Sequence, residues 1–120
     1  MENLFLWYSK CSTCKKAKDW LINNNVEFNE RSIVDDVPTV YELTEWIRQS
    51  GLDIKKFFNT SGLKYKELNL KEKLFNMSDE EKKKLLSTDG KLIKRPIFIY
   101  KNKVLIGFKI RDWEKVIKNN

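Results

Sequence analysis

The residues of this 120-residue chain best suited to chemistry are two cysteines, Cys11 and Cys14. A Cys-x-x-Cys spacing sets two sulfurs one helical turn apart on one face, near enough to close a disulfide. They sit in the run Leu4-Phe-Leu-Trp-Tyr-Ser-Lys-Cys-Ser-Thr-Cys-Lys-Lys-Ala17. That run reads as a short strand from Leu4 to Tyr8, a turn at Ser9 and Lys10, and a helix starting at or near Cys11. The first cysteine then lies where unpaired backbone N–H groups and the positive end of the helix dipole converge. Such a position stabilises a thiolate, the nucleophilic form of cysteine. Lys10, Lys15 and Lys16 add positive charge nearby.

Other chemistries are excluded by composition. The chain has no histidine, so Cys-His catalysis and His-containing metal sites are ruled out. Two cysteines make a poor zinc site, which generally takes four ligands, and no metal is expected. The N-terminus carries an acid, Glu2, before a short apolar run that ends at a cysteine, and this does not read as a secretory signal. No apolar run approaches the roughly 20 residues needed to span a bilayer. A cytoplasmic protein without a membrane partner is the expectation, and in a reducing cytosol the pair is not a permanent staple. Redox catalysis, redox sensing and plain burial are the roles left to it.

The formal net charge of +7 favours anionic partners. The lysines are nevertheless scattered among acids. The one block, Lys82-Lys83-Lys84, follows Asp79-Glu80-Glu81, an order that complements a helix dipole. No aromatic-basic platform of the kind used for single strands is present, and direct nucleic-acid binding is not expected.

The elements that must position the cysteines follow from periodicity. Cys14, Ala17 and Leu21 recur at helical spacing, with Ile22 widening the apolar stripe, so the spacing predicts a helix from Ser12 to about Asn24. Asn23-Asn24-Asn25 suits a left-handed cap. Val26 to Ile33 reads as a near-edge strand, parallel to the first through a right-handed crossover. After the loop Asp35 to Pro38, Thr39-x-x-Glu42 is a capping box opening a helix with Val40, Leu43 and Ile47 on one face, closed by Ser50-Gly51. Asp53 caps a short helix containing Phe57 and Phe58. Asn59 to Gly62 is a turn and Tyr65 to Leu70 another short helix. Ser78-x-x-Glu81 opens a helix to about Leu86, and Asp89-Gly90 is a turn. Ile97-Phe98-Ile99-Tyr100 reads as a buried central strand. Lys101-Asn102 turns it into a hairpin with Lys103 to Ile106. Arg111 to Lys118 is a last helix burying Trp113, Val116 and Ile117.

The resulting order is β-α-β, a helical insert, then β-β-α. It matches a thioredoxin-like α/β fold: a mixed four-stranded sheet with helices on both faces. One domain is expected, with residues 1–38 and 88–120 as the core and 39–87 as the helical insertion. A Cys-x-x-Cys beside a β-α-β pattern reads as a thioredoxin-like redox motif. In that fold a cis-proline faces the active-site cysteine at the head of a central strand, which implies a cis Arg95-Pro96 bond.

Three segments together, Tyr8-Ser-Lys-Cys11-Ser-Thr-Cys14-Lys-Lys-Ala17, Phe57-Phe-Asn-Thr-Ser-Gly62 and Lys94-Arg-Pro-Ile97, resemble the ArsC/Spx family over essentially the whole chain. The family includes glutaredoxin-linked arsenate reductases, the Spx transcription regulators, and arsenate-reductase-like proteins of unassigned substrate. The chain looks most like the last group. The resemblance implies Cys11 as catalytic cysteine and Arg95 as the arginine that holds an oxyanion or steadies the thiolate. Lys15 is a further candidate anion contact, and Ser12, Thr13 and Pro96 frame the site. Arsenate reductases of this type use three arginines; Asn59 and about Gly107-Phe108 stand at two of those positions, so arsenate reduction is not expected. Cys14 matches the Cys-x-x-Cys switch of Spx, although the glycine Spx uses at RNA polymerase falls near Asp53. The expected function is a thiol–disulfide oxidoreductase: Cys11 attacks, Cys14 resolves, and thioredoxin or a glutathione/glutaredoxin system re-reduces the pair. It would act as a monomer with no bound cofactor. The alternative is a Spx-like redox-responsive regulator that binds RNA polymerase.

Overall fold

The computed structural model describes residues 3–118. Its sheet has the order β2-β1-β3-β4. The strands are β1 (Leu4–Trp7), β2 (Asn29–Ser32), β3 (Ile97–Tyr100) and β4 (Lys103–Ile106). The edge strand β2 runs parallel to β1, Leu4 opposite Asn29, while β3 is antiparallel to both β1 and β4. This is the mixed α/β sheet the element order calls for. Side chains alternate across a strand, so neighbours part company: Leu6, Ile97 and Val104 enter one apolar cluster and Phe5, Phe98 and Leu105 the other.

The second cluster is covered by α1 (Ser12–Asn23), through Ala17 and Leu21, and by α6 (Ile110–Ile117), through Trp113. Trp113 stacks on Phe98, ring centroids 5.3 Å apart and planes 14° from parallel. The opposite face is covered by α2 (Val40–Ser50), α3 (Leu63–Glu67), α4 (Leu70–Lys73), α5 (Asp79–Thr88) and three short 3-10 turns. Both capping boxes form, at Thr39–Glu42 and Ser78–Glu81. Lys101 and Asn102, at φ 47° and 66°, make the β3–β4 hairpin turn.

Four details differ from the sequence expectation. Strand β2 begins at Asn29 rather than Val26, because the chain leaves α1 through Asn25 at φ 56° and Val26 donates its N–H back to Leu21. Val26 and Phe28 then pack beneath α1 before the ladder starts. Ile22 is 53% exposed and does not widen the buried stripe, since it lies round the helix from Leu21. Trp46, not counted as core from sequence, is buried on α2 beside Leu43. Finally, an antiparallel bridge joins Phe58 to Ile93, flanked by Asn59 N–H to Leu92 O (2.8 Å) and Lys94 N–H to Phe57 O (2.8 Å). This bridge ties the helical face to the segment that leads into β3. No helix among the described residues is long and apolar enough to cross a membrane.

Candidate functional site

The chain turns from β1 into α1 through a hydrogen bond from Cys11 N–H to Tyr8 O, 3.0 Å. Cys11 is the N-cap of α1, extended at φ −107°, and its Sγ accepts the Cys14 N–H at 3.3 Å. A sulfur in this place takes the role usually filled by a serine or aspartate oxygen. Negative charge on it meets both the backbone N–H and the helix dipole. Cys14, one turn on, is fully buried. Burial pushes its thiol up to about 12, helped by a side-chain hydrogen bond to Cys11 and opposed by a backbone hydrogen bond at Tyr8 and the charge of Arg95. The buried thiol therefore keeps its proton and shares it with the partly exposed Cys11 sulfur. Both cysteines are free thiols.

Cys11 opens into a cleft of about 950 Å³ assembled from four segments. Tyr8, Cys11 and Thr13 come from the β1–α1 junction, and Asn59, Gly62 and Leu63 from the entry to α3. Lys91, Lys94 and Arg95 precede β3, and Gly107, Phe108 and Lys109 link β4 to α6. The Arg95 guanidinium lies over the Tyr8 ring, 5.1 Å from its centroid, and donates from Nη1 to Lys91 O at 3.4 Å. The Arg95–Pro96 peptide is cis. Of the residues singled out from sequence, Cys11, Thr13 and Arg95 line this cleft together. Ser12 and Lys15 are exposed outside it, and Cys14 and Pro96 are buried behind it.

Both positions where the resemblance leads one to expect further arginines also reach the cleft. Asn59 is spent locally: its Nδ2 donates to Lys91 O at 3.5 Å, and Ser61 Oγ donates to its Oδ1 at 3.5 Å. A β-carbon at Gly62 would come within 2.7 Å of that Nδ2. Gly107 turns the chain at φ 70°, a left-handed conformation that favours glycine. It donates to Pro96 O at 2.8 Å and accepts from Trp113 Nε1 at 3.1 Å. Phe108 packs edge-on against Trp113 at 5.0 Å. Neither position supplies a charge.

The sequence reading missed Lys64, Lys91, Lys94 and Lys109 in the cleft, and Tyr8 as the platform for Arg95. Lys94 had a signal, its place beside Arg95. The other lysines come from three distant segments and no periodicity unites them. Among the described residues no group of three or more His, Cys, Asp or Glu is placed to hold a metal ion.

A model of the ArsC family matches residues 6–116. The uncharacterized protein YusI of Bacillus subtilis (strain 168) is 52% identical over 115 residues, covering 96% of this chain and 98% of that protein. The regulatory protein MgsR of the same organism is 32% identical over 114 residues, covering 95% and 89%. A solved ArsC-family-related protein from Bacteroides fragilis superposes with a TM-score of 0.93 at 59% identity, covering 97% of this chain and 98% of that one. An arsenate reductase from Vibrio cholerae superposes at 0.82 with 25% identity, covering 98% and 97%.

Proposed function

The chain belongs to the ArsC family, and from that premise we propose that it is a thiol–disulfide oxidoreductase working through Cys11 and Cys14. The observation that carries this reading is the Cys11 sulfur itself. It caps α1, accepts a backbone N–H, is hydrogen-bonded by a buried thiol and faces a cleft lined by Arg95.

Cys11 attacks one sulfur of a substrate disulfide as thiolate. The substrate S–S bond breaks, a Cys11 mixed disulfide forms, and the other half leaves as a thiolate. Cys14 then attacks the Cys11 sulfur, its proton passing to the departing second thiolate, and a Cys11–Cys14 disulfide is left. The two electrons have come from the cysteine pair. A dithiol of the thioredoxin or glutathione/glutaredoxin type returns them. Arg95, held over Tyr8, faces the negative charge that passes between the sulfurs. Arsenate reduction is not part of the proposal, because Asn59 and Gly107 replace two charged contacts, each worth about 1.5–3 kcal/mol.

The direct test uses Cys14→Ser, which removes the resolving thiol. With dithiobis(nitrobenzoate) or a peptide disulfide, this variant should accumulate a one-to-one mixed disulfide on Cys11, seen by intact mass, while the parent protein goes on to the Cys11–Cys14 disulfide and releases both halves as thiols. No adduct on Cys11 would end this reading.

The similarity to MgsR favours a second reading, a redox-responsive regulator that binds RNA polymerase. The same disulfide would then alter a binding surface. Retention of polymerase on immobilised protein in only one redox state would support it, and no retention in either state would remove it.

A further inference from the structure

The cleft around Cys11 is much larger than a tetrahedral oxyanion requires. Its volume of about 950 Å³ lies at the upper end of ligand pockets, roughly 300–1,000 Å³. Apart from the Cys11 thiol and the Tyr8 phenol, its ionisable lining is five cations, Lys64, Lys91, Lys94, Arg95 and Lys109, against two acids, Glu67 and Asp89. That leaves a net charge of +3. One of the acids is already engaged: Asp89 accepts the Lys91 N–H at 2.9 Å and sits 4.0 Å from Lys64 Nζ. Lys91, Lys94, Arg95 and Lys109 form no ion pair with another described residue. The lining also has an apolar component. Leu63 stands 77% exposed in the wall, and Phe108 forms part of the surface opposite. The cations come from three segments, Lys64 from α3, Lys91, Lys94 and Arg95 from the stretch before β3, and Lys109 from the β4–α6 link, around an open concavity. A concave, positive surface of this kind concentrates extended anions and raises their association rate.

We propose that this cleft selects disulfides carried on peptides whose flanking residues are acidic, the carboxylates meeting Lys91, Lys94 and Lys109 while an apolar side chain rests on Leu63. The inference builds on the oxidoreductase reading and adds its substrate class. The chemical step is unchanged: Cys11 takes one substrate sulfur, the other leaves as thiolate, Cys14 completes the exchange, and an external dithiol restores the pair.

The test is a set of disulfide-linked peptides of one apolar sequence, flanked by three Glu, three Gln or three Lys. Second-order rates of Cys11 oxidation are followed by quenched-flow mass spectrometry with the reduced full chain. At about 20 mM ionic strength the Glu peptide should react at least tenfold faster than the Gln peptide, and the Lys peptide slowest. The spread should collapse in 1 M salt, where the Debye length is about 3 Å. The triple variant Lys91→Glu, Lys94→Glu, Lys109→Glu should reverse the order. A small dicarboxylate disulfide, dithiodipropionate, separates the sources: the proposal requires it to lag behind the Glu peptide, because it reaches neither Leu63 nor the outer lysines. Equal rates for the three peptides at low salt, an order unmoved by charge reversal, or dithiodipropionate matching the Glu peptide would overturn the proposal and leave the oxidoreductase reading standing. Failure of every disulfide to oxidise Cys11, while iodoacetamide still labels it, would overturn both.

Discussion

Cys14 should be almost inert to alkylation although it lies three residues from the partly exposed Cys11 thiol. The clean perturbation is Cys11→Ser. It removes the competing sulfur and puts a preferred N-cap residue where Cys11 already accepts the Cys14 N–H, so the fold should hold. With its thiol near 12, Cys14 is ionised in about one molecule in 10⁵ at pH 7. An ordinary cysteine near 8.5 is ionised in about three in a hundred. The thiolate ratio alone is about 3,000-fold. The hydrogen bond to Cys11 and the charge on it disappear in the variant, but burial, the largest cause, remains. A slowing of at least ~100-fold relative to N-acetylcysteine is therefore expected. The assay is iodoacetamide labelling at pH 7–10, read by intact mass on the native variant and again in denaturant. Native labelling within about tenfold of the free thiol at pH 7 would refute the argument that burial holds the proton on Cys14. The proposed division of labour, with Cys11 attacking first and Cys14 waiting, would lose its physical basis.

Three further outcomes follow from the same structure. The raised Cys14 thiol favours the protonated native state, so its contribution to stability is constant below the unfolded value, about 8.5–9, and is lost as pH rises toward 12; the stability deficit of Cys14→Ala should shrink by about 1.4 kcal/mol per pH unit above pH 9, measured by denaturant melts in parallel. Gly90→Ala places a β-carbon 1.9 Å from Ile33 O, which only backbone movement can relieve, and should cost at least about 2 kcal/mol in chemical denaturation. Glu42→Gln weakens its contacts to Arg31 (2.6 and 2.9 Å) and its bond from the Thr39 N–H (3.0 Å), for a loss of about 1–2 kcal/mol at pH 7. Because the Arg31 hydrogen bond chiefly holds the Glu42 carboxyl below its ordinary range, that difference should persist at and above about pH 5 and close as pH falls below about 4.5.

Much of the molecule was legible before any coordinates. The unbroken apolar run Ile97-Phe98-Ile99-Tyr100, the two capping boxes and the Cys-x-x-Cys at a strand–helix junction are local signals. Each appears where expected, because a few adjacent residues decide them. The departures have two causes, one local and one tertiary. Val26 reads as strand by composition, but the left-handed Asn25 returns its N–H to Leu21 before a partner strand is within reach. Trp46 was overlooked because a tryptophan's burial depends on what packs over it, here the same apolar cluster that holds Ile54 and Phe57.

The sequence by itself determined the Cys11 and Cys14 spacing at a strand–helix junction, the order of elements and the identity of the residues that stand where further arginines were expected. Only the tertiary structure decided what surrounds Cys11. Lys64, the pair Lys91 and Lys94, and Lys109 lie on three separate segments and share no period, so nothing in the string marks them as one group. They meet because a single bridge, Phe58 to Ile93, draws the helical face against the segment before β3 that carries Arg95, and because Trp113 holds the Gly107 turn. A helix capped by a cysteine sulfur can be written in four consecutive residues, since a helix terminus is a local object. The charge of the cleft before it is a sum over segments that only chain folding brings together.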